Sequence, residues 1–230
     1  MYTPKQQYYL QLMGIDTWVQ RSKGKEQPSA SALANQDNIS SLSRSGLTDE
    51  LDVLAKTVAS CQQCPLYETR TQTVFARGNP RAKLMIIGEA PGYNEDKQGL
   101  PFVGKAGHLL NQMLASIGLS EETVYIANVL KCRPPNNRNP QAEEILKCGG
   151  YLNTQINLVK PTLLLGLGRF AAQFLTKQPA TLSKLRQQLH HYQTIPLPFF
   201  ISYHPAYLLR NPIDKKKAYL DLLQVKQFFS

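Results

Sequence analysis

Four short apolar runs, each ending in an unusual motif, constrain most tightly what this chain can fold into. They are KLMIIGEAP, TVYIANVLK, PTLLLGLG and PFFISYHP. Runs of this length, bounded by turn residues, read as buried strands. Helical patterns separate them. GHLLNQMLASIGL is amphipathic and closed by Gly118. PQAEEILKCGGYLNTQINLV has Pro140 near its start, although Gly149–Gly150 weakens it. RFAAQFLT and DKKKAYLDLLQVKQFF follow the last two strands. Upstream, TDELDVLAKTVASC reads as a helix capped by Thr48 that delivers Cys61. Strands alternating with helices predict an α/β fold with a parallel sheet covered on both faces. Ligands of such sheets collect beyond the carboxyl ends of the strands. The endings GEAPG, NVLKCRPP, GLGR and YHPAYLLR are therefore expected to converge on one crevice.

The densest of these motifs is GEAPGYNEDKQGLPFVGKAG, from Gly88 to Gly107. Its glycines permit close backbone approach, and its prolines stiffen the loop. Glu89, Glu95 and Asp96 would stand at the mouth of the crevice. GKAGHLL opens a helix whose free amides suit an anion. The motif is neither a Walker loop nor a dinucleotide fingerprint. His204 ends the fourth strand, where an imidazole can hydrogen-bond an anion forming in the crevice. Arg210 follows within two turns and suits phosphate or a duplex. Asn128 ends the second strand, and its amide can read a base edge bidentately. Each has a plainer alternative: a solvated turn, a structural imidazole, an amide satisfying local backbone. His108, His190 and His191 lack such context and read as surface or packing residues.

The chain has four cysteines, Cys61, Cys64, Cys132 and Cys148. Four thiolates complete one tetrahedral set, for Zn²⁺ or for an iron–sulfur cluster. A disulfide framework and four unrelated buried thiols are the alternatives. Disulfides avoid reducing compartments. The opening MYTPKQQYYLQLMGIDTW lacks a basic head followed by an apolar stretch. No apolar run approaches the roughly 20 residues that cross a bilayer. The expectation is a soluble, intracellular, cytoplasmic protein with no membrane partner and a metal-binding set of cysteines.

Charge is unevenly placed. The formal net charge is +10, yet residues 1–60 carry six basic and six acidic residues. The excess lies wholly in 61–230 and favours a polyanion such as nucleic acid. Residues 22–48 are rich in Ser, Asn, Gln, Ala and Gly and poor in large apolar side chains, the composition of a linker or tail. YYLQLMGIDTWVQR before it suits one short helix. The expected organisation is an N-terminal extension, 1–50, partly a flexible linker, followed by a single domain, 51–230.

Taken together, GEAPGYNEDKQGLPFVGKAGHLL, NVLKCRPPNNRNP, HPAYLLRNP and the CxxC-plus-distant-pair cysteines resemble family 4 uracil-DNA glycosylases, the iron–sulfur branch of that superfamily. The resemblance runs from about Leu54 to Phe229. It implies a three-layer α/β/α fold around a central four-stranded parallel sheet. It implies hydrolysis of the N-glycosidic bond of uracil in DNA, the first step of base excision repair, on a base taken out of the stack. By motif position, Phe102 would stack on uracil, and Asn128 would pair with its edge and reject cytosine. His204 would stabilise the departing uracil anion. Glu89 or Glu95 would position water, with backbone near Ala90 and Gly92 contributing. Arg210 would fill the vacated stack or pin phosphates. The resemblance also decides for a [4Fe–4S] cluster on the four cysteines, without a part in the chemistry, and for a nucleoid-associated monomer acting on uracil-containing DNA. Two departures stand out. Residue 206 is Ala where many members carry Ser, and the N-terminal extension, which suits a protein partner, exceeds the shortest members.

Two rivals share some of these features. One is a protein that binds or traps uracil-DNA without turnover. Such relatives have Gln in place of Glu89 and an added basic loop with His, which Thr176–Gln188 lacks. The other is a four-cysteine zinc module that binds nucleic acid, which leaves GEAPG…PFVG and HPAYLLR unexplained.

Overall fold

The computed structural model describes residues 44–192 and 196–230. The expected short helix at 8–21 and most of the linker lie outside these residues. The first described element is helix α1 (Arg44–Ala59), followed by the single turn α2 (Leu66–Thr69). Helix α1 begins ahead of Thr48, so Thr48 sits inside the helix rather than at its cap. The boundary expected at 50/51 also falls within this helix.

Four strands form the centre of the sheet: β2 (Leu84–Gly88), β3 (Val124–Asn128), β4 (Leu163–Leu167) and β6 (Leu197–Ser202). They are parallel, in the order β3-β2-β4-β6. This matches the expected core. Two short antiparallel strands extend it to six: β1 (Arg77–Gly78) beside β3 and β5 (His190–Tyr192) beside β6. Two or three residues are too few to show a strand's alternation, so neither has a sequence signal.

Alternate strand residues feed two separate cores. Leu84 and Ile86 face helix α4 (Lys105–Ser116) and the C-terminal helix α9 (Lys215–Phe228), packing with Leu110, Met113, Leu114, Leu222 and Val225. Met85 and Ile87 face α1, α5 (Ala142–Val159) and α6 (Arg169–Thr176), packing with Leu51, Leu152, Ile156, Ala172 and Leu175. The result is the expected α/β/α sandwich. Helix α5 runs unbroken through Gly149–Gly150. Its buried stripe of Cys148, Leu152, Ile156 and Val159 outweighs the local helix cost of glycine. Glu144 fixes its start by accepting from Gln141 N at 2.8 Å and pairing with Arg138. Three short helices complete the fold: α3 (Tyr93–Gln98), α7 (Leu182–Leu185) and α8 (Pro205–Arg210). Among the described residues no helix is long and apolar enough to cross a membrane.

Candidate active site and metal centre

The in-register ladder brings the four carboxyl ends to one level: Gly88 pairs with Asn128, Ile87 with Gly166, and Leu167 with Ser202. Beyond them opens a cleft of about 840 Å³. Glu89, Ala90, Gly92, Glu95, Phe102, Asn128, His204 and Arg210 all line it. The strand endings therefore converge as their motifs required. Arg169 and Tyr203 line it as well, although the sequence reading assigned them no role. The GLGR ending was the available signal for Arg169.

Phe102 and Asn128 meet over Gly88. A Cβ on Gly88 would lie 2.7 Å from Phe102 Cε2 and Cζ, and closer still to Asn128 Oδ1. Only a bare Cα lets both side chains close over the strand end. Phe102 has φ +57°, a left-handed conformation unusual for a bulky residue. Several contacts hold it there. Arg77 Nη2 donates to Phe102 O at 3.2 Å, and Arg77 also pairs with Glu121. Val103 N and Gly104 N, just after Phe102, each donate to Glu95 Oε1 at 3.0 Å. Arg77 had no sequence signal, because its role depends on a contact 25 residues away.

Asn128 is 2 % exposed, and its Oδ1 has no hydrogen-bond partner among the described residues. A buried acceptor left unpaired costs about 1–3 kcal/mol. Asn128 is also among the residues that line the cleft. Its own main chain is fixed by Lys131, whose Nζ donates to Asn128 O at 2.7 Å and to Gln155 Oε1 at 2.5 Å. Gln155 Nε2 in turn donates to Phe75 O and Tyr125 Oη, both at 3.2 Å.

His204 caps α8, with its Nδ1 accepting from Ala206 N at 3.1 Å. This contact uses the backbone N–H of Ala206 and does not depend on the hydroxyl that Ser would carry there. Burial, with the Arg210 charge behind it, lowers the His204 pKa to about 4. The ring is neutral at physiological pH. With Nδ1 accepting, its proton resides on Nε2, a donor. The ring also stacks on Phe102, centroids 5.4 Å apart and planes 28° from parallel. On the other side, Gly168 has φ +85°, and a Cβ there would come within 2.9 Å of His204 Cβ. Glycine is required at this position for both reasons.

The two acids differ. Glu95 is engaged by three backbone amides: Val103 N, Gly104 N and, at 3.2 Å, Gly92 N. Its carboxylate occupies the opening of α4, where the sequence suggested an anion. Glu89 is different. Burial pushes its pKa up to about 7, and the Arg169 charge opposes that rise. Asp96, the third acid of the loop, is buried and accepts from Thr71 N at 2.9 Å.

Cys61, Cys64, Cys132 and Cys148 line a second, small pocket, at the other end of the loop that follows Asn128. All four are free thiols. Arg70 Nη1 donates to Cys132 Sγ at 3.1 Å, and Lys131 N donates to Cys148 Sγ at 3.2 Å. Burial raises the pKa of Cys64, Cys132 and Cys148, the last to about 11. Among the described residues no group of three or more His, Cys, Asp or Glu is arranged about a single metal ion.

Comparison with known proteins places the chain. The model of the uracil DNA glycosylase superfamily matches residues 75–224. The type-4 uracil-DNA glycosylase of Archaeoglobus fulgidus is 45 % identical over 170 residues, covering 71 % of this chain and 85 % of that protein. That of Saccharolobus solfataricus is 42 % identical over 189 residues, 79 % of this chain and 88 % of the relative. That of Thermotoga maritima is 38 % identical over 185 residues, 77 % and 94 %. A match of this extent, on a sheet whose strand ends present the family's motifs, means that the chain belongs to the uracil-DNA glycosylase superfamily and, within it, to the type-4 branch.

Proposed function

We propose that this protein excises uracil from DNA by hydrolysing its N-glycosidic bond. One observation carries the reading of the site: the buried, unpartnered Asn128 Oδ1 beside the Phe102 ring. Uracil offers what this pair lacks. Its flat ring covers Phe102, its N3–H donates to Oδ1, and its O4 accepts from the Asn128 amide. Cytosine presents the reversed edge, an acceptor against an acceptor, and is rejected.

The neutral His204 Nε2–H then donates to uracil O2. As the bond from C1′ to N1 breaks, its electron pair departs with uracil, and this donor stabilises the growing anion. The donor's interaction strengthens as negative charge grows on O2. Glu89 is the acid we assign to water. Once ionised, it orients the attacking water and offsets positive charge on the sugar. Water's oxygen joins C1′, and its proton passes to Glu89. Glu95 is assigned to the loop instead, because its carboxylate is spent on three amides. Arg169 and Arg210 flank the cleft as phosphate ligands.

The four cysteines suit a [4Fe–4S] cluster. The four sulfurs border one pocket, and Arg70 and Lys131 supply N–H donors to two of them. Four thiolates would also suit zinc; the likeness to type-4 relatives favours iron. Cys61, Cys64, Cys132 and Cys148 would hold such a cluster, which would cross-link the residues after α1 to the loop behind Asn128 and take no part in the chemistry.

The test is a glycosylase assay on matched oligonucleotides containing uracil, thymine or hypoxanthine, with iron measured on the same preparation. Abasic product from uracil is expected, together with about four irons per chain (from the cluster stoichiometry). A stable protein–DNA adduct, or no abasic DNA at all, refutes turnover.

A further inference from the structure

Tyr93 is the residue of this site's neighbourhood that the chemistry leaves unused. It opens α3, directly after the cleft residue Gly92, and is 55 % exposed. An aromatic ring so exposed is usually incidental when alone. This one is not alone. The Arg133 guanidinium lies 5.1 Å from its centroid and Lys97 Nζ lies 5.9 Å away. Arg133 comes from a different segment, the loop that follows Cys132, and is itself held by Asn137 Oδ1 at 2.7 Å.

The mount is rigid. Behind Tyr93, Glu95 accepts three backbone amides and Asp96 accepts Thr71 N, so two consecutive residues pin the helix to the domain. Gln72 Nε2 adds a bond to Lys97 O at 2.7 Å. Little ordering remains to be done when a ligand arrives. The patch is continuous with the cleft on both sides, through Gly92 and Glu95 on one and Pro134 and Asn137 on the other. An aromatic face with two cations beside it has the composition of a single-strand stacking platform.

We infer that Tyr93, with Arg133 and Lys97, is a second binding site, on which a base flanking the extruded uracil stacks while the cations meet its phosphates. The inference rests on the proposed function, since it takes the same DNA strand as its ligand. It also gives the loop after Cys132 a contact with substrate.

The test uses the full chain and a single-stranded oligonucleotide bearing a tetrahydrofuran abasic analogue, with 2-aminopurine placed in turn at the three positions on either side. Binding is read by anisotropy and stacking by 2-aminopurine quenching. One flanking position is expected to be quenched. Tyr93→Ala loses that quenching and weakens Kd about tenfold, within the range for one base–aromatic stack. Tyr93→Phe keeps both. On uracil substrate the loss appears in KM rather than kcat. Equal Kd and equal quenching in wild type and Tyr93→Ala at all six positions overturn the inference. So does a weakened Kd with no quenching anywhere, which assigns the patch to phosphates alone. Failure of the wild-type chain to release uracil would instead strike the proposed function, and the quenching is still read on the analogue.

Discussion

Gly88→Ala isolates the geometry on which uracil recognition is proposed to depend. Gly88 does not need a left-handed conformation, so the substitution adds no backbone strain. Its effect is steric. The new methyl would sit 2.7 Å from the Phe102 ring and nearer still to Asn128 Oδ1, whereas ordinary contact begins near 3.4 Å. Ring and amide must each retreat by about 1 Å, and they must retreat in different directions. Neither has room: Phe102 is 6 % exposed and stacked on His204, and Asn128 is 2 % exposed with its main chain held by Lys131. A displacement of this size at a reacting centre costs about 100-fold in rate. Forced repacking costs about 1–3 kcal/mol of stability. Uracil excision under kcat/KM conditions and thermal denaturation read the two effects separately. The expected result is a loss of about two orders of magnitude in kcat/KM, with a folded chain. Wild-type kcat/KM in Gly88→Ala would refute the claim that Phe102 and Asn128 grip the base together.

Three further outcomes are expected. Because the Glu89 pKa is raised to about 7 and the carboxylate is the working form, excision should fall roughly tenfold per pH unit below 7. The same shift makes Glu89 stabilise the fold below pH 4.5 and withdraw that stability as pH rises through 7. Glu89→Gln should flatten both the rate limb and this loss, as pH-dependent kinetics and melting will show. Lys131→Met removes the donor to Asn128 O and should raise the KM for uracil DNA while narrowing discrimination against cytosine. Unchanged selectivity in competition assays would free Asn128 from this support. Arg186→Met removes the charge partner of Asp221, which is fully buried, is bonded by Arg186 Nε and Nη2 at 2.8 Å each, and would keep only the Ser202 hydroxyl of these donors. An abandoned buried carboxylate costs about 3–5 kcal/mol, or a melting temperature lower by roughly 10 °C. Replacing Asp221 as well should recover much of the loss in calorimetry.

The candidate site was more legible than the sheet's margins. Asn128 and His204 stood out because each belongs to a motif at a strand end, and register then carried those ends to one level; Phe102 was marked through the resemblance, and loop contacts from Arg77 and Glu95 position it. The two carboxylates could not be separated in the same way. Glu89 and Glu95 share one loop, and what divides them is the set of amides that Glu95 collects from residues 103 and 104. Edge strands β1 and β5 escaped notice because their pairing partners, rather than their own two or three residues, make them strands.

By itself the sequence determined the alternation of strands and helices, four cysteines as one candidate set, and the strand ends as the place of the cleft. Those properties follow from local periodicity and from residue type, which a linear chain displays directly. Only the tertiary structure decided that Asn128 keeps an unpaired acceptor among the described residues, that burial lowers the His204 pKa, and that Glu89 carries a raised pKa while Glu95 collects three backbone amides. Desolvation and hydrogen-bond satisfaction belong to neighbours distant in the chain, and folding alone brings those neighbours into contact.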